Sequence, residues 1–401
     1  MSDRVRHASL HHRSLFQFGE PAFYVFGALV AWGGLQMFLV LAALSDISRS
    51  GWALSWLLLA LYATPVFVLV YRLDLYEREP LSLVFGAFAW GALAATSLSL
   101  QAVGWDQVVV SLFGPEVAAR WGAAITAPLV EETLKGAGIV LLYLIARDEF
   151  DDTMDGFVYG AICGLGFALV EDVLYFMAVF GGTPAGVLQG FYLRVISSGL
   201  YGHVLFTGLT GMGIGYFVSR RVARPLATRL KVAIGLFALG VVGHFIWNSP
   251  LLEFMPAQPT GVGWLLVPVA FAVKGMPVLL LVLLALRLAH GQERSWLDAS
   301  LSGELPHEGI SAEELAVLRE PKARRRAVRA MRTRAGRPAG RLLGRLHREQ
   351  ITLAMLASRV ATPDDPSLVA QRDYCRSLRD ALAAIPGAAP PAFSGGRGSG
   401  G

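Results

Sequence analysis

Charge is scarce in this chain. Asp, Glu, Lys and Arg make up 16% of its 401 residues, against 54% hydrophobic residues, whereas an ordinary soluble domain carries about a quarter charged residues. That shortage excludes a string of soluble globular domains and divides the chain into a membrane-embedded part and a polar remainder. Cysteine is scarcer still: Cys163 lies in an apolar run and Cys375 in the polar remainder. Two such residues exclude a disulfide framework and a zinc knuckle. No internal repeat or pair of broken helices of the kind common in transporters is visible. The net charge of +5 gathers in loops and in the tail, as membrane topology requires, so no nucleic-acid partner is expected.

What the chain has in abundance is apolar runs of about 20 residues, the length of a bilayer-crossing helix. They fall roughly at 22–44, 52–71, 81–103, 121–146, 156–180, 197–218, 232–248 and 263–288. The expected fold class is therefore all-α, a polytopic membrane helix bundle of about eight transmembrane helices. The first run is too long for a signal-peptide core and lacks a cleavage site, so it is expected to remain.

Loop charges set the orientation. With the N-terminus inside, the cytoplasmic segments collect Arg4, Arg6, Arg13, Arg72, Arg78, Arg147, Arg220, Arg221, Arg224, Arg229 and Lys231. The opposite side holds only Arg49, Arg120 and Arg194. The expected location is a bacterial-type plasma membrane, multi-pass, with both termini cytoplasmic and the lipid bilayer as the surrounding partner.

Four segments follow: a cytoplasmic N-terminal segment 1–21, the eight-helix domain 22–288, a basic helical cytoplasmic region 289–388, and a disordered Gly/Ser/Pro tail 389–401. In the basic region Ser311-Ala-Glu-Glu314 is a capping-box pattern. Lys322 to Arg348 is crowded with arginine, and a further helical stretch covers 349–385. This region reads as a solvated basic helix near anionic lipid, or else as a partner-binding surface.

Few ionisable residues enter the spans, and each is costly at mid-membrane, about 2.5–3.5 kcal/mol on insertion scales. The fourth span holds Glu131, Glu132 and Lys135; the fifth holds Glu171 and Asp172; the sixth holds His203 and the seventh His244. Lys135 lies three and four residues from the glutamates, which suits a counter-ion. Asp172 is expected to point away from Glu171 as a structural or interhelical residue, and Lys274 in the eighth span to be a counter-charge for the acids. Gly156, Gly160 and Gly164 share a helix face and should let a neighbouring backbone approach closely. The orientation places Glu131, Glu132, Glu171, His203 and His244 in the outer half of the bilayer, within about 15 Å of the external face. Four helices contributing acids and histidines at one depth suggest a shared site.

Two histidines and a glutamate can bind zinc, or another divalent metal, while leaving a position open for water. In that arrangement His203, His244 and Glu171 are the ligands. Glu131 or Glu132 is the general base, and Asn248 is a donor to the developing oxyanion. A metal-free arrangement, with glutamate and histidine activating water, uses the same residues. A proton- or cation-coupled transporter could also employ them, and a non-catalytic scaffold is a third alternative.

The motifs resemble a known family. Glu131-Glu132-Thr-Leu-Lys135 is similar to the EExxK motif of PrsW-type intramembrane proteases. Phe167-Ala-Leu-Val-Glu171, after the glycine-rich run from Asp155, resembles their FxxxE motif. His203 and the pair His244 and Asn248 resemble the later histidine motifs, and Arg72 to Pro80 the acidic Glu-Pro element. A distant likeness to CAAX prenyl endopeptidases rests on the same scheme. The resemblance covers roughly 20–290. It implies a membrane-embedded metalloprotease-like peptidase acting on a membrane-anchored protein substrate, with anti-sigma factors as the best-known type.

Overall fold

In a computed structural model the described residues are 14–74, 79–197, 202–221, 223–251, 261, 263–307, 309–359 and 362–388. Arg4, Arg6, Arg13, Glu77, Arg78 and the tail from 389 lie outside them. Among the described residues there are helices and no strand. Two compact units divide at His290 and Gly291.

The first unit is the apolar one. α1 (Pro21–Ser45) opens with proline, whose missing N–H costs nothing in a first turn. α2 (Arg49–Tyr71) is capped by Ser48, whose hydroxyl accepts from Gly51 N–H. α3 (Leu81–Gln101) contains a π-turn over Trp90–Ala95. α4 (Asp106–Phe113) leads into α5 (Pro115–Ile145), and α6 (Thr153–Val179) starts at a capping box made by Asp152 and Asp155. α7 (Pro184–Phe191) runs on as a π-turn to Ile196, followed by α8 (His203–Ser219), α9 (Leu226–Asn248) and α10 (Gly263–Gly303).

Helices α1, α2, α3, α6, α9 and α10 are long and apolar enough to cross a bilayer. α5 has the length, 31 residues, but carries the three charges of the glutamate pair and Lys135. α8 has 17 residues, about 25 Å. It begins at His203 rather than near 197, because extended Gly202 precedes it and residues 184–196 belong to α7 and its π-turn. His203 is thus the first helical residue, not one buried six residues down a span.

α6 is the centre. Cβ atoms built on Gly156, Gly160 and Gly164 would lie 2.1, 2.3 and 2.2 Å from carbonyl oxygens of Gly211, Thr207 and His203, so α6 and α8 meet backbone to backbone. Gly166 makes the same kind of approach to Phe88 on α3. Trp90 Nε1 donates to Leu134 O at 2.9 Å, tying α3 to α5. By contrast, the outer surfaces of α1, α2 and α10 expose Phe38, Leu39, Leu61, Leu265 and Val273. Apolar surface on that scale needs lipid or a partner.

The second unit has its own core of Leu297, Leu301, Ile310, Leu318, Leu346, Ile351, Cys375 and Leu378. α11 (Ala312–Leu318) starts with the capping box of Ser311 and Glu314. α12 (Pro321–Arg359) doubles back at Gly336, whose φ of 88° breaks the helix, and α13 (Pro366–Ala383) follows. The stretch expected as helical over 349–385 is thus divided between α12, which ends at Arg359, and α13, which begins at Pro366. Burial pushes the Cys375 thiol up to about 12, which suits an inert core residue.

Candidate active site

Positions three and four apart on a helix share a face, and α5 uses that spacing to gather its charges. Lys135 Nζ donates to Glu131 Oε2 at 3.1 Å and to Glu132 Oε1 at 2.9 Å. Its third contact is His203 Nδ1 on α8, at 2.8 Å. The ammonium also sits 3.7 Å from the centroid of the Phe167 ring. Glu132 accepts a further bond from Thr207 Oγ1 at 2.9 Å. Lys135 and Glu132 are fully enclosed.

An ammonium has donors and no acceptor, so His203 Nδ1 accepts from it and the ring proton belongs on Nε2. That atom faces Glu171 Oε2 at 3.0 Å. Glu171 in turn accepts from Arg194 Nη2 at 2.7 Å, while Arg194 Nε reaches Asp172 Oδ1 at 2.6 Å. Arg194 also stacks on Tyr175, 3.7 Å from its ring centroid. Asp172 thus joins the same guanidinium as Glu171 instead of pointing away. On α9, His244 Nε2 lies 3.9 Å from Glu131 Oε2 and 3.3 Å from Asn248 Nδ2. Its Nδ1 is 3.2 Å from Glu132 Oε1 but is buried without a hydrogen bond. Asn248, the last residue of α9, is exposed.

Glu131, His203 and His244 bring one donor atom each within 4.8 Å of one another. Glu171, expected as the third ligand, lies behind His203 instead. The set fits a divalent metal in donor chemistry. Its formal charges agree: among the described residues Glu131, Glu132, Glu171 and Asp172 face Lys135 and Arg194 as permanent cations, and the buried His244 Nδ1 makes no hydrogen bond. Lys135 hydrogen-bonds two of the three ligand groups, so a metal there requires the lysine to withdraw. Lys274 donates to the carbonyls of Trp247 and Ser249, at 3.4 and 2.6 Å, and so caps the end of α9.

A cavity of about 310 Å³ opens beside this cluster, lined by Thr96, Thr126, Val130, Glu131, Phe167, Glu171, Tyr175 and Val179 among others. Glu131 and Glu171 therefore face space that another molecule can occupy, whereas Glu132 does not. The sequence reading missed Arg194 as a site residue because it was counted with the loop charges. Its signal was a lone arginine in the apolar run Gly190-Phe-Tyr-Leu-Arg-Val-Ile.

Paired glutamates, two histidines and a lysine beside a cavity in a multi-helix membrane protein are the residue types that a membrane-embedded hydrolase needs. Residues 79–285 match the family described as PrsW family intramembrane metalloprotease. The chain belongs to that family, and the matched segment contains every site residue named above. It is similar to Protease PrsW of Geobacillus kaustophilus (strain HTA426), 33% identical over 184 residues, 46% of this chain and 68% of that protein. Protease PrsW of Bacillus subtilis (strain 168) is 27% identical over 136 residues, 31% of this chain and 60% of that protein. Protease PrsW of Clostridioides difficile (strain 630) is 28% identical over 149 residues, 37% of this chain and 57% of that protein. No solved structure matches the chain.

Proposed function

We propose that this protein hydrolyses a peptide bond in a membrane-anchored protein, with Glu131 as the base that activates water. The observation that carries this reading is the cavity: Glu131 is the glutamate of the pair that lines it, beside a sealed ionic network. Glu131 takes the water's proton and returns it to the leaving amine, a role worth about 10²–10⁴ in rate. Glu132, held by Lys135 and Thr207, keeps the lysine in place. His203 is fixed in ring orientation from both sides by Lys135 and Glu171. His244 and Asn248 serve the oxyanion, where the loss of one donor costs about 10²–10³.

As an alternative arrangement, with Lys135 withdrawn, Glu131, His203 and His244 would be ligands rather than base and oxyanion donor, and a divalent metal, zinc by their mixed oxygen and nitrogen donors, would supply an acidified water there. The loop charges support cleavage near the extracytoplasmic side of a bacterial-type plasma membrane, with both termini cytoplasmic. A regulatory, anti-sigma-factor-type substrate is the reading by analogy. Family membership favours hydrolysis over the transport and scaffold alternatives.

The test is cleavage of a single-pass membrane substrate by the reconstituted full chain, with metal content measured on the same sample. Glu131→Gln and His244→Ala should insert and fold as the parent does yet lose cleavage. Parental cleavage rates in both variants would sink the assignment.

A further inference from the structure

Several arginines of the second unit are paired with carboxylates. Arg372 holds Glu304, Arg379 holds Glu314, and Arg319 and Arg376 bond Asp298 and Asp373. A different arrangement holds where α12 doubles back. The positive φ of Gly336 turns the chain so that Gly340 and Gly344 face Arg332 and Val328 of the first arm. A Cβ built on Gly340 would lie 2.9 Å from Arg332 Cβ, so the arms are in glycine contact. Beside that contact lies an open hollow of about 540 Å³, lined by Val328, Gly340, Gly344 and the four arginines 332, 337, 341 and 348. Among the described residues no carboxylate lines it. Among the described residues, none of these four guanidinium groups has a hydrogen-bond or ion-pair partner.

We propose that this hollow binds a phosphate-bearing anion, as a lipid headgroup or a small soluble phosphate compound. Guanidinium forks match phosphate oxygens two at a time, and four of them converge here from both arms of the hairpin. Four like charges without a counter-ion repel one another, and a multiply charged anion relieves that repulsion. The volume falls in the range of small-molecule sites, about 300–1,000 Å³, and is too compact for a long polyanion to be needed. Binding here is independent of the peptidase chemistry of the first unit.

Calorimetric titration of the detergent-solubilised full chain tests this, with inorganic pyrophosphate, dioctanoyl phosphatidylglycerol and dioctanoyl phosphatidylcholine as probes. The quadruple variant R332Q/R337Q/R341Q/R348Q should keep its helical circular dichroism, because glutamine is a good helix former. It should weaken phosphate binding by at least about tenfold. The control R325Q/R326Q/R329Q, which removes charge from the same helix outside the hollow, should stay within about twofold of the parent. Pyrophosphate binding identifies a soluble phosphate, and preference for phosphatidylglycerol over phosphatidylcholine with weak pyrophosphate binding identifies a headgroup; either supports the site. Absence of binding by pyrophosphate and phosphatidylglycerol, or weakening in both variants in proportion to the charge removed, overturns it.

Discussion

Both units bury charge, but they neutralise it differently. In the second unit Arg372 meets Glu304 in a one-to-one fork, 2.6 and 2.9 Å, both side chains largely buried although they border a small open hollow. One cation meets one anion, and the guanidinium's Nη1 donates to Pro363 O. In the membrane unit Lys135 is shared by two glutamates and a histidine, and Arg194 by two further acids. Acids outnumber cations there, and two of the acids line a cavity. A one-to-one pair can be exchanged for apolar side chains, while a shared and incompletely neutralised network resists exchange and can do chemistry. That difference separates a structural ion pair from a reactive one.

The largest expected effect comes from breaking the shared cation. Lys135→Met removes the charge that both Glu131 and Glu132 lean on, leaving two buried carboxylates uncompensated. Breaking a buried pair costs about 3–5 kcal/mol, and a cation serving two acids belongs at the upper end. The membrane unit should then fail to accumulate in folded form, read as loss of a monodisperse species in detergent. In the second unit Arg372→Met alone should cost about 3–5 kcal/mol, but adding Glu304→Leu should restore most of it. Thermal unfolding of the single and double variants checks this. If the double variant stays as unstable as the single, the one-to-one reading of Arg372 and Glu304 is wrong.

Much of this was legible in the sequence because the membrane narrows the choices. Apolar runs of bilayer length gave the helices, and the four-residue glycine spacing gave the close-approach face of α6, though not that α8 meets it. The spacing of Glu131, Glu132 and Lys135 gave their shared face. What the sequence hid depends on the third dimension. The same lysine reaches His203, 68 residues away, and Arg194 was filed with the loops although it binds Glu171, 23 residues back. The place of Glu131 rather than Glu171 in the compact donor group was hidden for the same reason, since helix rotation decides which carboxylate comes near both histidines. In the second unit the arginine-rich stretch was visible, but the break at Gly336 that folds it into two arginine-lined arms was not.

A smaller effect should appear in the second unit on acidification. Burial, with help from the Arg324 charge, holds His347 down at about 4 from the ordinary 6.5, and its Nδ1 has no hydrogen-bond partner. Between those two values the unfolded chain binds a proton that the folded unit refuses, so stability falls as pH falls through that window. The linkage is about 1.4 kcal/mol per pH unit, or about 2 kcal/mol by pH 5. Hydrogen exchange of the 346–356 backbone in the full chain should show protection dropping from pH 7.5 to 5 after correction for intrinsic rates. His347→Gln should flatten that drop; an unchanged drop would assign it to other groups.

The mildest prediction concerns Arg194, which lines neither the cavity nor the metal-ligand group but holds Glu171 and Asp172 together. Through Glu171 it fixes the Nε2 side of His203, opposite the lysine on Nδ1. Lysine in its place keeps the charge but loses the planar fork, so it can serve only one of the two carboxylates well. The His203 ring then loses one of its two restraints while every group lining the cavity stays in place. Outer partners of this kind are typically worth about 10–100-fold. Arg194→Lys should therefore lie near the tenfold end in kcat, with KM little changed and the pH profile of cleavage displaced. Arg194→Met should fall further. A purely structural arginine would lower the amount of folded protein and leave the pH profile of what remains where it was.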